Sequence, residues 1–152
     1  MECALQPEFG SLLASTTGSR MVFGVPIDYG RGSALANETM SKLDDMTRRR
    51  KEAHAKLLAS KSRVYQAFLE MERAAFSDGA LPKSQKELIA VGISVATDCE
   101  SCMQWHIEQA AASGATEAEV FEAVEVGIEM SGGPGTVSAR FALEVMDSVF
   151  PK

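Results

Sequence analysis

Residues 82–106 read PKSQKELIAVGISVATDCESCMQWH, and the way this stretch folds decides the architecture of the chain. Pro82-Lys83-Ser84 opens a helix in which Leu88, Ile89, Val91, Ile93 and Val95 are apolar on most sides, which predicts a helix central to the core. Thr97-Asp98 is expected to cap a second helix, running from Cys99 to about Ser113 and stopping at Gly114. On one straight helix Glu87 would lie about 18 Å from Cys99. If Thr97-Asp98 reverses the chain into a helical hairpin, Glu87 returns to roughly the level of His106.

Working outward, Ser62 to Phe76 places Val64, Ala67, Phe68, Met71 and Ala75 on one stripe, and Ser77-Asp78-Gly79 ends it. A further helix is expected before it, from about Asn37 to Leu58. Downstream, Thr116 and Glu119 have capping-box spacing at the start of a helix through Val120, Phe121, Val124 and Ile128. Gly132-Gly133-Pro134-Gly135 reads as a helix break whose small residues allow close approach of neighbours, and a last helix is expected from about Thr136 to Val149. No stretch has strand character, so the fold class is all-α, a compact domain of about six helices over residues 36–152. Residues 1–35 hold five glycines and sustain no period of 3.6 or 2, so they read as a poorly structured N-terminal arm.

The composition narrows the function classes. With 152 residues, 45% of them hydrophobic, the chain supports one domain. Its net charge of -6 repels phosphate backbones, so nucleic acid is not an expected partner. The basic run Arg48-Arg49-Arg50-Lys51 and the following His54 read as a solvated helix face within this acidic chain. No apolar run reaches the ~20 residues needed to cross a bilayer, and the N-terminus lacks the features of a signal peptide, so no membrane is expected and the expected compartment is the cytoplasm. The Gly132–Gly135 run has no Lys-Ser or Lys-Thr after it and no strand before it, which sets aside a phosphate loop.

The chemistry gathers on Cys99, Cys102 and His106. Three cysteines, two of them in a C-x-x-C, do not make a secreted disulfide framework, and in a reducing compartment that spacing means redox chemistry or metal binding. At about 100° per residue the three side chains share one helix face, and the i to i+4 relation brings the imidazole beside the second sulfur. Cys99 lies in the first helical turn, where unsatisfied N–H groups favour a thiolate, whereas the contact with His106 favours Cys102 as the attacking sulfur. The pair can close to a disulfide without any cofactor or metal, and Glu87 completes a carboxylate, imidazole, thiol order. Trp105 and Met103 are expected to fill space.

Lys86-Glu87-Leu88-Ile89-Ala90, then Cys99-Glu100-Ser101-Cys102, His106, Ala110-Ala111 and Gly114-Ala115-Thr116 together resemble the carboxymuconolactone decarboxylase family. More closely, they resemble its alkyl hydroperoxidase D-like branch, in which a Glu is followed by C-x-x-C and by a His four residues on. The resemblance covers about residues 60 to 140. It implies an all-helical fold assembled as trimers or hexamers, and a thiol-dependent peroxidase or disulfide reductase that acts on a hydroperoxide or disulfide and is restored by a dithiol reductant. The family's catalytic Glu falls on Glu87, its redox cysteines on Cys99 and Cys102, and its proton-relay His on His106. Some members carry a second His just before the second Cys; Ser101 stands there in this chain, a departure that weighs on peroxide reduction more than on disulfide exchange.

Two alternatives belong to other classes. A lactone decarboxylase-type lyase would need Glu87 and His106 but neither sulfur. A zinc-binding or purely structural helical oligomer would use Cys99, Cys102 and His106 as ligands or packing groups, although no second C-x-x-C exists to complete a typical structural site.

Overall fold

Beyond residue 34 the chain is rich in Ala, Leu, Glu, Lys, Arg and Met, residues that lose little side-chain freedom in a helix, and its described residues form helices joined by short connections. The computed structural model describes residues 32–151, with side chains from residue 42 onward. Six helices follow in order: α1 (Gly32–Ala59), α2 (Arg63–Ala75), α3 (Lys83–Ala96), α4 (Glu100–Ala112), α5 (Glu117–Ser131) and α6 (Gly133–Val149). Among the described residues there is no strand, and no helix is long and apolar enough to cross a membrane. The arm expected over residues 1–35 lies outside the described residues up to residue 31, and residues 32–35 belong to α1.

Helix ends follow the local chemistry. Ser62 caps α2 by accepting the Tyr65 N–H. Thr116 and Glu119 form the expected capping box on α5, and the Thr116 N–H and hydroxyl hold the Glu119 carboxyl below its ordinary range. Two boundaries differ from the sequence reading. Cys99, not Thr97-Asp98, is the N-cap of α4; Thr97 is instead the C-cap of α3. The break at Gly132-Gly133-Pro134-Gly135 is confined to Gly132, because Pro134 needs no backbone donor in the first turn of a helix and α6 starts at Gly133.

Helices α3, α4, α5 and α6 enclose one core, in which Val91, Val95, Met103, Ile107, Val120, Val124 and Val145 are fully buried. Each such side chain contributes about 1.5–3 kcal/mol through loss of apolar surface to water. Close approach is built into α5: a Cβ at Gly127 would come within 2.7 Å of the Gly92 carbonyl oxygen, and one at Gly135 within 2.9 Å of Ile128 Cα. Small residues therefore set the spacing of α3, α5 and α6; of the Gly132–Gly135 run only Gly135 takes part, since a Cβ at Gly132 or Gly133 would meet nothing within 4 Å. Helix α1 is tied to α4 by buried Gln104, whose Nε2 donates to the Leu43 carbonyl and to Thr47 Oγ1.

The core position expected for α3 holds on one side only. Val91 and Val95 are buried, but Ile89 and Ile93 are exposed, because no helix of the described chain covers that face. Helix α2 goes further: its apolar stripe buries nothing, and Val64 is 82% exposed.

Candidate active site

The α3–α4 hairpin brings the sequence-separated residues together. Three residues, Thr97 to Cys99, join the two helices, and reversal sets Glu87 against His106, with Glu87 Oε2 2.8 Å from His106 Nδ1. Glu87 is 2% exposed, so its carboxylate depends on this partner and on Lys83, one turn earlier on α3, whose Nζ lies 3.9 Å from Oε1. Lys83 also donates to Gln109 Oε1 at 3.3 Å. With Nδ1–H assigned as the donor to Glu87, the neutral ring keeps Nε2 as its acceptor.

The imidazole also has an aromatic neighbour. Phe76, just past α2, stacks on the His106 ring with centroids 5.3 Å apart. Lys86 donates to the carbonyls of Ala75 and Ser77, at 2.9 and 2.6 Å, and so anchors the end of α2 over α3. The sulfurs of Cys99 and Cys102 are joined as a disulfide, with Cα atoms 5.2 Å apart. Cys99 Sγ accepts the Cys102 N–H at 3.3 Å, so the sulfur occupies the capping position itself, where partial positive charge favours an anion. His106 follows Cys102 by one helical turn, on the same helix.

All four expected residues, Glu87, Cys99, Cys102 and His106, thus belong to one hairpin. Among the described residues, no three His, Cys, Asp or Glu side chains converge as a metal site.

A cleft of about 410 Å³ opens on Glu87, not on the sulfurs, and is lined by His54, Leu58, Phe76, Lys83 and Trp105 among others. His54 and Trp105 were expected to be a solvated residue and a packing residue; both border this cleft. His54 Nδ1 lies 2.6 Å from Tyr65 Oη, and Arg50 lies over the Trp105 ring at 4.5 Å while pairing with Glu108. Two other residues of the basic run are matched on their own helix, Arg48 by Asp45 and Glu52 and Arg49 by Asp45. Lys83 was legible as the i−4 neighbour of Glu87. Phe76 was not, since its contact depends on the turn between α2 and α3.

Fold and site together define an all-helical protein with a C-x-x-C at the head of a hairpin helix and a buried Glu–His pair within it. The chain belongs to the carboxymuconolactone decarboxylase family, whose model matches residues 62–145. It is similar to uncharacterized protein 4 in the cox locus of Paracoccus denitrificans, with 40% identity over 83 residues, 55% of this chain and 75% of that protein. A Cupriavidus necator protein is 41% identical over 83 residues, with 55% and 74% covered. Among solved structures, a carboxymuconolactone decarboxylase family protein from Legionella pneumophila is 31% identical at a TM-score of 0.68, covering 71% of this chain and 96% of that one. A Thermotoga maritima protein of the same family shares the fold at a TM-score of 0.64 and 22% identity, with 69% and 89% covered.

Proposed function

We propose that the chain is a thiol-dependent oxidoreductase in which Cys99 and Cys102 cycle between dithiol and disulfide while Glu87 and His106 handle protons. With a hydroperoxide, one thiolate attacks the terminal oxygen, the O–O bond breaks, and the departing alkoxide takes a proton to leave as an alcohol. The second thiol then displaces water from the sulfenic acid and closes the disulfide. With a disulfide substrate, two exchange steps release two thiols and close the same bond. A dithiol reductant restores the pair by the reverse exchange, which suits a reducing compartment such as the cytoplasm.

The observation that carries this reading is the 2.8 Å Glu87–His106 pair, placed by the hairpin one helical turn from Cys102. A part in an antioxidative response has been suggested for the Thermotoga relative, in keeping with this chemistry. The test is a thiol count by mass spectrometry on the reduced chain, before and after one equivalent of hydroperoxide or of a small disulfide. Two thiols should be lost as a Cys99–Cys102 bridge and return with dithiothreitol; survival of both overturns the reading.

We also infer that the protein self-associates, as a trimer or hexamer. Val64, Phe68 and Met71 on α2, and Val126 and Met130 on α5, are exposed, with Met130 at 73%. Large apolar side chains left exposed along a helix mark association surfaces. Light scattering at micromolar concentration should give a mass of at least three chains; a monomer mass refutes the assembly and leaves the thiol chemistry standing.

A further inference from the structure

Helices α3 and α4 end in the same backbone closure, and they differ in the residue that makes it. At the end of α4, Ala115 N–H donates to the Ala110 carbonyl and Gly114 N–H to that of Ala111, with Gly114 at φ 92°. This paired closure needs one residue in the left-handed region, where glycine meets no steric penalty. At the end of α3, Cys99 N–H donates to the Ser94 carbonyl at 3.0 Å and Asp98 N–H to that of Val95 at 3.2 Å, and the left-handed residue is Asp98, at φ 53°. A side chain in that region is strained, less so for Asp than for most residues.

The Asp98 side chain has a partner. Ser138 Oγ donates to Asp98 Oδ1 at 2.6 Å, and Ser138, on α6, is 6% exposed. The next residue, Cys99, completes the closure of α3 and at the same time caps α4 with its sulfur. One hydrogen bond from α6 therefore fixes the residue that aims Cys99 at Cys102.

We propose that Asp98, held by Ser138, is a positioning residue that favours the Cys99–Cys102 disulfide over the dithiol. Two effects act in the same direction. The anchored turn keeps Cys99 Sγ at the cap, facing its partner, so closing the bond costs less ordering. The Asp98 carboxylate, adjacent in the chain, opposes a thiolate on Cys99 and so disfavours the reduced, ionised form. The inference rests on the reading that this pair cycles in solution.

The test equilibrates the full chain with glutathione, protein dithiol plus oxidised glutathione giving protein disulfide plus two reduced glutathiones, and reads the ratio by mass after acid quench and alkylation. Asp98→Gly keeps the left-handed closure but loses charge and anchor, and should shift the equilibrium about ten-fold toward the dithiol at nearly unchanged melting temperature. Asp98→Asn removes only the charge and Ser138→Ala only the anchor, and each should shift it about three-fold. Ser138→Thr keeps the hydroxyl, and a cavity of about 260 Å³ lined by Asp98, Pro134, Val137 and Ser138 gives its methyl room, so it should match wild type. Asp98→Gly and Ser138→Ala within two-fold of a redox-active wild type overturn this inference alone. A wild-type chain that forms no bridge at any glutathione ratio overturns the proposed function with it.

Discussion

Cys99→Ser and Cys102→Ser should each lower steady-state reduction of a hydroperoxide or a small disulfide by at least about 1,000-fold, because a serine hydroxyl at neutral pH neither attacks an O–O or S–S bond nor closes a disulfide. The two variants should differ in their first turnover. The variant that keeps the attacking sulfur still consumes one equivalent of a small disulfide and stops as a mixed disulfide, which adds a defined mass. The variant that lacks it should accumulate no adduct. Cys99 Sγ occupies the α4 cap and Cys102 stands one turn before His106, so this measurement assigns the roles that sequence spacing left open. Both sulfurs are half-buried at the hairpin turn and lie outside the closely packed core, so neither substitution should unfold the chain. Full activity of the double variant toward a lactone or related acid would instead assign the site to proton chemistry by Glu87 and His106.

The hairpin was legible because its signals are local. Apolar residues crowd Leu88 to Val95, Gly114 stops α4, and the distance argument on Glu87 required a reversal near Asp98. That reversal returns Glu87 to roughly the level of His106, and the packing of the two helices turns this into a 2.8 Å contact. What was not legible depends on partners distant in sequence. Ser138 reaches Asp98 across forty residues, and nothing near either position announces it. His54 and Trp105 join one cleft only because α1 lies against α4, which is fixed in part by buried Gln104 bonding to the Leu43 carbonyl. The exposure of Ile89 and Ile93 has a different origin. Apolar patterning reports which faces avoid water, and it does not say whether the cover comes from the same chain or from another copy.

Glu87→Gln is expected to lower thiol-dependent turnover by about 100-fold while leaving the chain folded. The carboxylate is 2% exposed and bonded to His106 Nδ1 at 2.8 Å, so it fixes the ring and stabilises the imidazolium formed whenever His106 takes a proton. Glutamine keeps the shape and one acceptor oxygen but withdraws the charge, so His106 stays in place and becomes a poorer base. Lys83 loses its charged partner in the variant but keeps Gln109, and its side chain is 41% exposed so that water can solvate it; the stability change should therefore be small. Thiol alkylation rates measured from about pH 5 to 9 are the check, since a thiolate whose proton goes to His106 must respond to the change. An unchanged profile would mean that the Glu–His pair does not communicate with the sulfurs. Glu87→Asp separates position from charge. It keeps the carboxylate but withdraws it by one methylene from a ring that Phe76 holds by stacking, so activity should fall nearly as far as in Glu87→Gln if the 2.8 Å contact matters, and should largely survive if charge alone suffices.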